Sequence, residues 1–115
     1  MADCLFCKIV AGEIPAKVVK RTEEAMAFRD VDPKAPTHVL VIPTQHIPNV
    51  RDARGAGSDR LLGRLLGFSA EVASELGLDA KGYRIVTNTG PDAGQSVDHL
   101  HFHILGGRRL TWPPG

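Results

Sequence analysis

The sequence predicts an α+β domain, an antiparallel sheet of about five strands carrying one long and one short helix. Three observations lead there. Five segments have the apolar, β-branched character of strands and are mostly joined by hairpin-length links. A single stretch repeats its apolar residues with helical period. And 115 residues support one modest core, short of the size at which chains usually split, so the whole chain, 1–115, is one domain.

The elements follow in order. A short helix fits residues 4–10, "CLFCKIV". Strands then run through "AKVVKRT", "AMAFRDV" and "THVLVIP", separated by turns at Glu23-Glu24 and "DPKAP". The segment "RDARGAGSD", residues 51–59, has loop composition. From Ser58, expected as N-cap, Leu61, Leu65, Phe68, Val72 and Leu76 share one helical face, and Gly77 is placed to close the helix. The last two strands, "GYRIVTNT" and "HLHFHILGG", flank a glycine-bearing loop. Strands in this order with a helix laid on them make a two-layer arrangement.

Composition excludes several classes of function. Hydrophobic residues are 43% and charged residues 23%, an ordinary globular balance. A formal net charge of +1 gives no polyelectrolyte signal, so no nucleic-acid partner is expected. No apolar run approaches the roughly 18 residues of a membrane span. The start "MADCLFCKIVAGE" lacks the basic and long apolar stretches of a signal peptide. A cytoplasmic, reducing setting is therefore expected, where Cys4 and Cys7 would not form a structural disulfide.

The most informative stretch is "SVDHLHFHILGG", residues 96–107. On a strand, His99, His101 and His103 share one face and Leu100, Phe102 and Ile104 the other. The apolar face can pack under the helix, leaving an imidazole face with no core to fill. All five histidines lie in two short segments, the other two being His38 and His46 in "THVLVIPTQHI". Alternate strand positions are about 6.6 Å apart, so the outer pair, about 13 Å apart, cannot both reach one ion without bending. A single metal held by all three is disfavoured. The alternative is one histidine acting as nucleophile toward phosphorus, with its neighbours as contacts to the phosphate.

The surroundings favour phosphate. The loop "NTGPDAGQS", residues 88–96, has two glycines whose backbone can approach an anion closely. In "FRDVDP" the aromatic Phe28 lies near Asp30, a carboxylate able to bind both hydroxyls of a ribose; a solvated turn carboxylate fits that spacing equally.

At this point "GQSVDHLHFHILGG" resembles the signature of the histidine triad (HIT) superfamily. "GEIPAKVV", "AFRDVDPKAPTHVLVIP", "GYRIVTNTG" and the ending "GGRRLTWPPG" are similar to its Hint branch, the histidine triad nucleotide-binding proteins. The resemblance covers nearly the whole chain. It implies a homodimeric α+β fold that binds purine nucleoside monophosphates and hydrolyses their phosphoramidates through a nucleotidylated histidine.

By this resemblance His101 is the nucleophile. His103 and Ser96 contact the phosphate oxygens, with Asn88 and the backbone of Gly94 and Gln95 beside them. Asp30 holds the ribose, and Val31 and Phe28, with Phe6 and Ile9, line the base pocket. His38 corresponds to an upstream histidine of the branch that supports the triad or relays a proton. Asp98 departs from the branch, which commonly has an aromatic or other apolar residue there; by strand alternation it points away from the triad. The chemistry itself requires a neutral imidazole whose other ring proton is held by an acceptor, most simply a backbone carbonyl, and no metal ion. Hydrolysis of dinucleoside polyphosphates, the activity of a sister branch, and a regulatory scaffold with little turnover are the alternatives; the "WPPG" ending speaks against the first.

The Cys4-x-x-Cys7 pair fits a redox motif, half of a tetrahedral zinc site or two ordinary packed thiols. Some HIT proteins, and the related galactose-1-phosphate uridylyltransferases, are similar in joining such a pair to two histidines. That analogy implies a structural zinc held by Cys4, Cys7, His46 and His99. Four protein ligands leave no open position, so this ion would brace the strand of His101 rather than act in catalysis.

Overall fold

The computed structural model describes residues 3–55 and 57–115. In chain order it has α1 (Leu5–Val10), β1 (Val18–Arg21), β2 (Ala25–Arg29), β3 (Thr37–Pro43), α2 (Val50–Ala53), α3 (Ser58–Glu75), β4 (Tyr83–Val86) and β5 (Phe102–Gly106). The strands form one sheet in the order β1-β2-β3-β5-β4, every neighbouring pair antiparallel. The expected fold class, five strands with one long helix, is the observed one.

Strand alternation sorts each segment onto two faces. Ala25, Ala27, Val39, Val41, Phe102 and Ile104 face α3, which sets Leu65, Phe68, Val72 and Ala73 against them. Each large apolar side chain buried there stabilises the fold by about 1.5–3 kcal/mol before the entropy of ordering it is subtracted. Leu61 and Leu76 complete the helical face at its edges, half-buried.

The opposite face corrects an expectation. The imidazole side of the sheet has a core of its own, made by Met26, Phe28, Leu40 and Ile42 with Phe6 and Ile9 of α1. Residues 26 and 28, and 40 and 42, are apolar as well as their odd-numbered neighbours, so β2 and β3 are buried on both faces. The two-faced apolar pattern leaves α1 a place to dock.

Other boundaries shift. Part of the expected 51–59 loop is α2, capped by the Asn49 side chain, which accepts from the Asp52 amide at 3.0 Å. Ser58 is the first residue of α3 rather than its cap; Gly57, at φ 82°, is the cap and makes no side-chain bond. Gly77 closes the helix as expected, at φ 78°. His99 and His101 precede β5 in irregular chain, so of the triad only His103 is in the ladder.

Candidate active site and metal centre

Register assembles the site. Phe28 pairs with Leu40, Leu40 with His103 and His103 with Val86, placing a transverse row of side chains on the α1 face. The segment before β5 leaves the ladder, and there Leu100 still turns to the α3 core while His101 turns under α1. The Leu100 amide donates to the Ile47 carbonyl at 2.6 Å and the Thr87 hydroxyl to the His101 carbonyl at 2.9 Å. These two bonds pin the irregular stretch.

Ring tautomers follow from the partners, because a backbone carbonyl can only accept and an amide N–H only donate. His101 Nδ1 donates to the His99 carbonyl at 2.7 Å, so in the neutral ring Nε2 carries the lone pair. That is the carbonyl acceptor the sequence argument required. The Lys34 amide donates to His38 Nδ1 at 3.0 Å, which leaves the proton of His38 on Nε2. That proton is directed at His103 Nδ1, 2.8 Å away, and His103 therefore carries its own on Nε2. Burial, reinforced by the neighbouring His101 and His38 rings, pushes His103 down to about 4. Burial also lowers His38, with Asp30 opposing the shift.

Next to these rings lies a cavity of about 370 Å³ walled by Phe6, Ile9, Phe28 and Leu40 and closed by Ser96, His101 and His103, a volume within the usual range for small-molecule sites. The ring of Phe6 packs edge-on to Phe28, at 5.5 Å between centroids, and to His101, at 5.2 Å. Asp30 and Val31 sit at the mouth. Asp30 is held by an Asx turn, its Oδ1 accepting from the Asp32 amide at 2.8 Å, and its Oδ2 lies 3.5 Å from His38 Nε2.

The residues expected to contact the base, the ribose and the phosphate thus converge, with one change. The amides of Gly94 and Gln95 are spent inside the loop, on the carbonyls of Pro91 and Gly90. Gln95 is a brace: its side chain accepts from the Gly90 amide and donates to the carbonyls of Pro48 and Val97. Asn88 lines the adjoining polar cleft together with Ser96 and His103. Asp98 lies exposed in a bend, outside any strand, so alternation does not govern its direction. Sequence reasoning missed Leu40, Ile14, Ala16 and Val97 as cavity walls. Leu40 was accessible through its alternation with Val39; the others depend on the docking of α1.

Cys4, Cys7, His46 and His99 form a second cluster, their ligand atoms all within 4.8 Å of one another. Cys4 Sγ is 3.3 Å from His99 Nδ1 and Cys7 Sγ 3.3 Å from His46 Nδ1. His99 is fully buried and donates from Nε2 to the Pro43 carbonyl at 2.9 Å, which leaves Nδ1 unprotonated toward the sulfurs. Burial pushes the Cys7 thiol up, with the adjacent Cys4 sulfur adding to the shift. Two thiols and two imidazoles in such reach suit a tetrahedral ion of the zinc type.

The HIT domain family model matches residues 11–110. The chain belongs to the HIT family. This HIT domain is 43% identical over 108 residues to the purine nucleoside phosphoramidase of Escherichia coli, covering 94% of this chain and 90% of that one. It is 52% identical to an uncharacterised HIT-like protein of Synechococcus elongatus, over 98% of this chain and 97% of the relative. Among solved structures, a HIT family hydrolase from Legionella pneumophila superposes with a TM-score of 0.94 at 48% identity, over 98% of this chain and all of the other. A histidine triad nucleotide-binding protein from Candida albicans gives a TM-score of 0.82 at 33% identity, over 96% and 83% of the two chains. These likenesses put the domain among the HIT family hydrolases. Among the described residues no helix is long and apolar enough to cross a membrane.

Proposed function

We propose that this HIT domain hydrolyses purine nucleoside phosphoramidates through a nucleotidyl intermediate on His101. The observation that carries the reading is the bond from His101 Nδ1 to the His99 carbonyl. It supports the reading by holding one ring proton on Nδ1, so that in the neutral tautomer Nε2 is the free nitrogen, on a ring that lines the cavity. The base enters between Phe6 and Phe28, the ribose hydroxyls meet Asp30, and the phosphoryl oxygens meet Ser96 and His103. A purine has the flat apolar area those walls accept, and the Escherichia coli relative carries the matching activity in its name.

Attack by Nε2 forms the P–N bond to His101 as the bond to the amine breaks, and the departing amine takes the bonding pair and a proton from water. His103, neutral at pH 7, donates its Nε2–H to a phosphoryl oxygen and stabilises charge there. Water then attacks phosphorus, releasing the nucleoside monophosphate and regenerating neutral His101. His38 keeps the His103 proton on the phosphate side.

The same reading includes a zinc ion on Cys4, Cys7, His46 and His99, which would brace the segment that carries His101, and a homodimer. Comparing kcat/KM for adenosine phosphoramidate and for diadenosine polyphosphates tests the activity. Preference for the phosphoramidate is expected. Preference for the polyphosphates, or binding of adenosine monophosphate with no turnover of either, overturns it. Light scattering of the full chain tests the dimer, and a monomer's mass overturns that part.

A further inference from the structure

The short helix α1 serves two sites at once. Phe6 and Ile9 wall the cavity beside His101, and the ring of Phe6 stands edge-on to those of Phe28, His99 and His101, at 5.5, 5.9 and 5.2 Å between centroids. Cys4, which caps the helix, and Cys7, in its first turn, meet His99 and His46 instead. They are the only cysteines of the chain, and both are half-buried and unbridged.

His99 links this second cluster to the nucleophile. Its Nε2 donates to the Pro43 carbonyl at 2.9 Å, so its Nδ1 can only accept a proton or bind an ion, and the sulfurs of Cys4 and Cys7 lie 3.3 and 3.6 Å from it. The ring is fully buried, where a nitrogen left without a partner is costly. The carbonyl of the same residue accepts from His101 Nδ1 at 2.7 Å. Whatever turns the sulfurs away from His99 therefore disturbs the residue that holds the His101 ring. Access to the sulfurs comes from a cleft of about 540 Å³ lined by Cys4 and His46 together with Asp3 and Asp98. Its two carboxylates favour a small neutral reagent over an anionic one. Cys7 stands next to Cys4, its amide donating to Cys4 Sγ at 3.3 Å.

We propose that Cys4 and Cys7 are a site of reversible oxidation by hydrogen peroxide, and that the disulfide they form weakens nucleotide binding and slows turnover. The Cys4 sulfur attacks one peroxide oxygen as the O–O bond breaks, giving a sulfenic acid and one water. Cys7 then attacks the Cys4 sulfur; the S–S bond forms as the S–O bond breaks, and the second oxygen leaves as water. Two electrons pass from the sulfur pair to the peroxide, and the two thiol protons end in the waters. The disulfide has no proton to give His99 Nδ1 and no thiolate for an ion of the zinc type. His99 loses its partner, and α1, which holds Phe6 against the cavity, loses its tie to His46 and His99. The slowing of turnover rests on the phosphoramidase reading above; formation of the disulfide does not.

The test treats the full chain, purified without chelator, with hydrogen peroxide and follows intact mass, affinity for adenosine monophosphate and turnover of adenosine phosphoramidate, before and after dithiothreitol. The monomer is expected to lose two hydrogens, to bind adenosine monophosphate severalfold more weakly and to turn over about ten- to a hundredfold more slowly. Dithiothreitol should restore all three, which separates the disulfide from oxidised methionine, a product that this thiol leaves in place. Cys4→Ser/Cys7→Ser, compared with its own untreated rate and affinity, should show no such change; should that variant not fold, the reversible change in the wild type decides alone. A chain that keeps both hydrogens, a disulfide that alters neither binding nor turnover, a loss that dithiothreitol does not reverse, or an equal loss in the double variant overturns the proposal. Untreated protein that binds adenosine monophosphate but turns over no phosphoramidate overturns only the earlier reading, and the change in affinity then decides this one.

Discussion

His38 Nε2 lies 2.8 Å from His103 Nδ1, and the proton between them can belong only to His38, because the Lys34 amide occupies the other His38 nitrogen at 3.0 Å. A backbone N–H in the turn before β3 thus sets the protonation of a ring on β5. Replacing His38 with Ala removes the lock and lets His103 turn its lone pair to the phosphate. The expected outcome is a fall in kcat/KM of about ten- to a hundredfold with the fold retained. A His38→Ala enzyme within twofold of wild type would show that the tautomer of His103 does not matter.

His101 is expected to be indispensable. His101→Ala should lower turnover by at least about a thousandfold, while binding of adenosine monophosphate weakens far less because Phe6, Phe28, Asp30 and Ser96 remain. Rapid quench of the wild type should trap nucleotide on His101. Label found on His99 or His103, or a tenth of wild-type activity in the variant, would refute the assignment.

Acid should destabilise the fold through buried imidazoles. His103 titrates at about 4 in the folded chain, and an exposed histidine at 6.5. Between those values the unfolded chain binds more protons, so stability is complete above pH 6.5 and declines as the pH falls to about 4. At 1.36 kcal/mol per pH unit, with a discount for the partial solvent screening of a half-buried ring, the loss from His103 is about 2 kcal/mol. His38 and His99, also lowered by burial, act with the same sign. Urea unfolding in EDTA at pH 7.5 and 5.0 measures it, and His103→Asn should lose less between the two. Equal losses would mean that the titrating group lies elsewhere.

What could be read from the chain follows its range of interaction. Strand periodicity and the apolar stripe from Leu61 to Leu76 are local; the stripe appears where expected, and the five strands do so over shorter spans, β5 beginning only at Phe102. The second core was hidden because Met26, Phe28, Leu40 and Ile42 stand opposite α1, a partner some twenty residues or more away in sequence. That His99 and His101 lie outside the ladder depends on the Ile47 carbonyl and the Thr87 hydroxyl, which no alternation pattern contains. The loop of Gly94 and Gln95 read as an open anion nest; whether its amides are free was settled by bonds to Pro91 and Gly90. The Cys4, Cys7, His46 and His99 cluster came from resemblance, since three remote segments must meet to form it.

Gly107 follows β5 and packs against Pro36 in the turn that precedes β3 and His38. It has a φ of 91°, and a Cβ there would stand 2.9 Å from Cβ of Pro36. Gly107→Ala therefore combines an unfavourable backbone conformation with a collision against a rigid ring, an expected cost of about 1–3 kcal/mol. Moving Pro36 also displaces Lys34 and His38, so activity should fall together with the thermal midpoint. Unchanged stability would show that the 33–36 turn yields freely.

The last prediction concerns the metal. Cys4, Cys7, His46 and His99 bring their ligand atoms within 4.8 Å of one another, and the thiol of Cys7 is disfavoured as an anion unless a cation compensates it. Zinc would supply that charge and tie α1 to the segments after β3 and before β5. Purified protein prepared without chelator should hold about one zinc per chain. Because binding energy of this kind is folding energy, Cys4→Ser or prolonged chelation should lower the melting temperature by several degrees. The initial rate in a brief EDTA assay should stay close to wild type, since the step proposed at His101 draws on no ion. Immediate inhibition by EDTA, reversed by added metal, would contradict the structural role. Well under half an equivalent of zinc, with unchanged melting in Cys4→Ser, would leave the two cysteines as packed thiols and His99 as a support for the His101 ring alone.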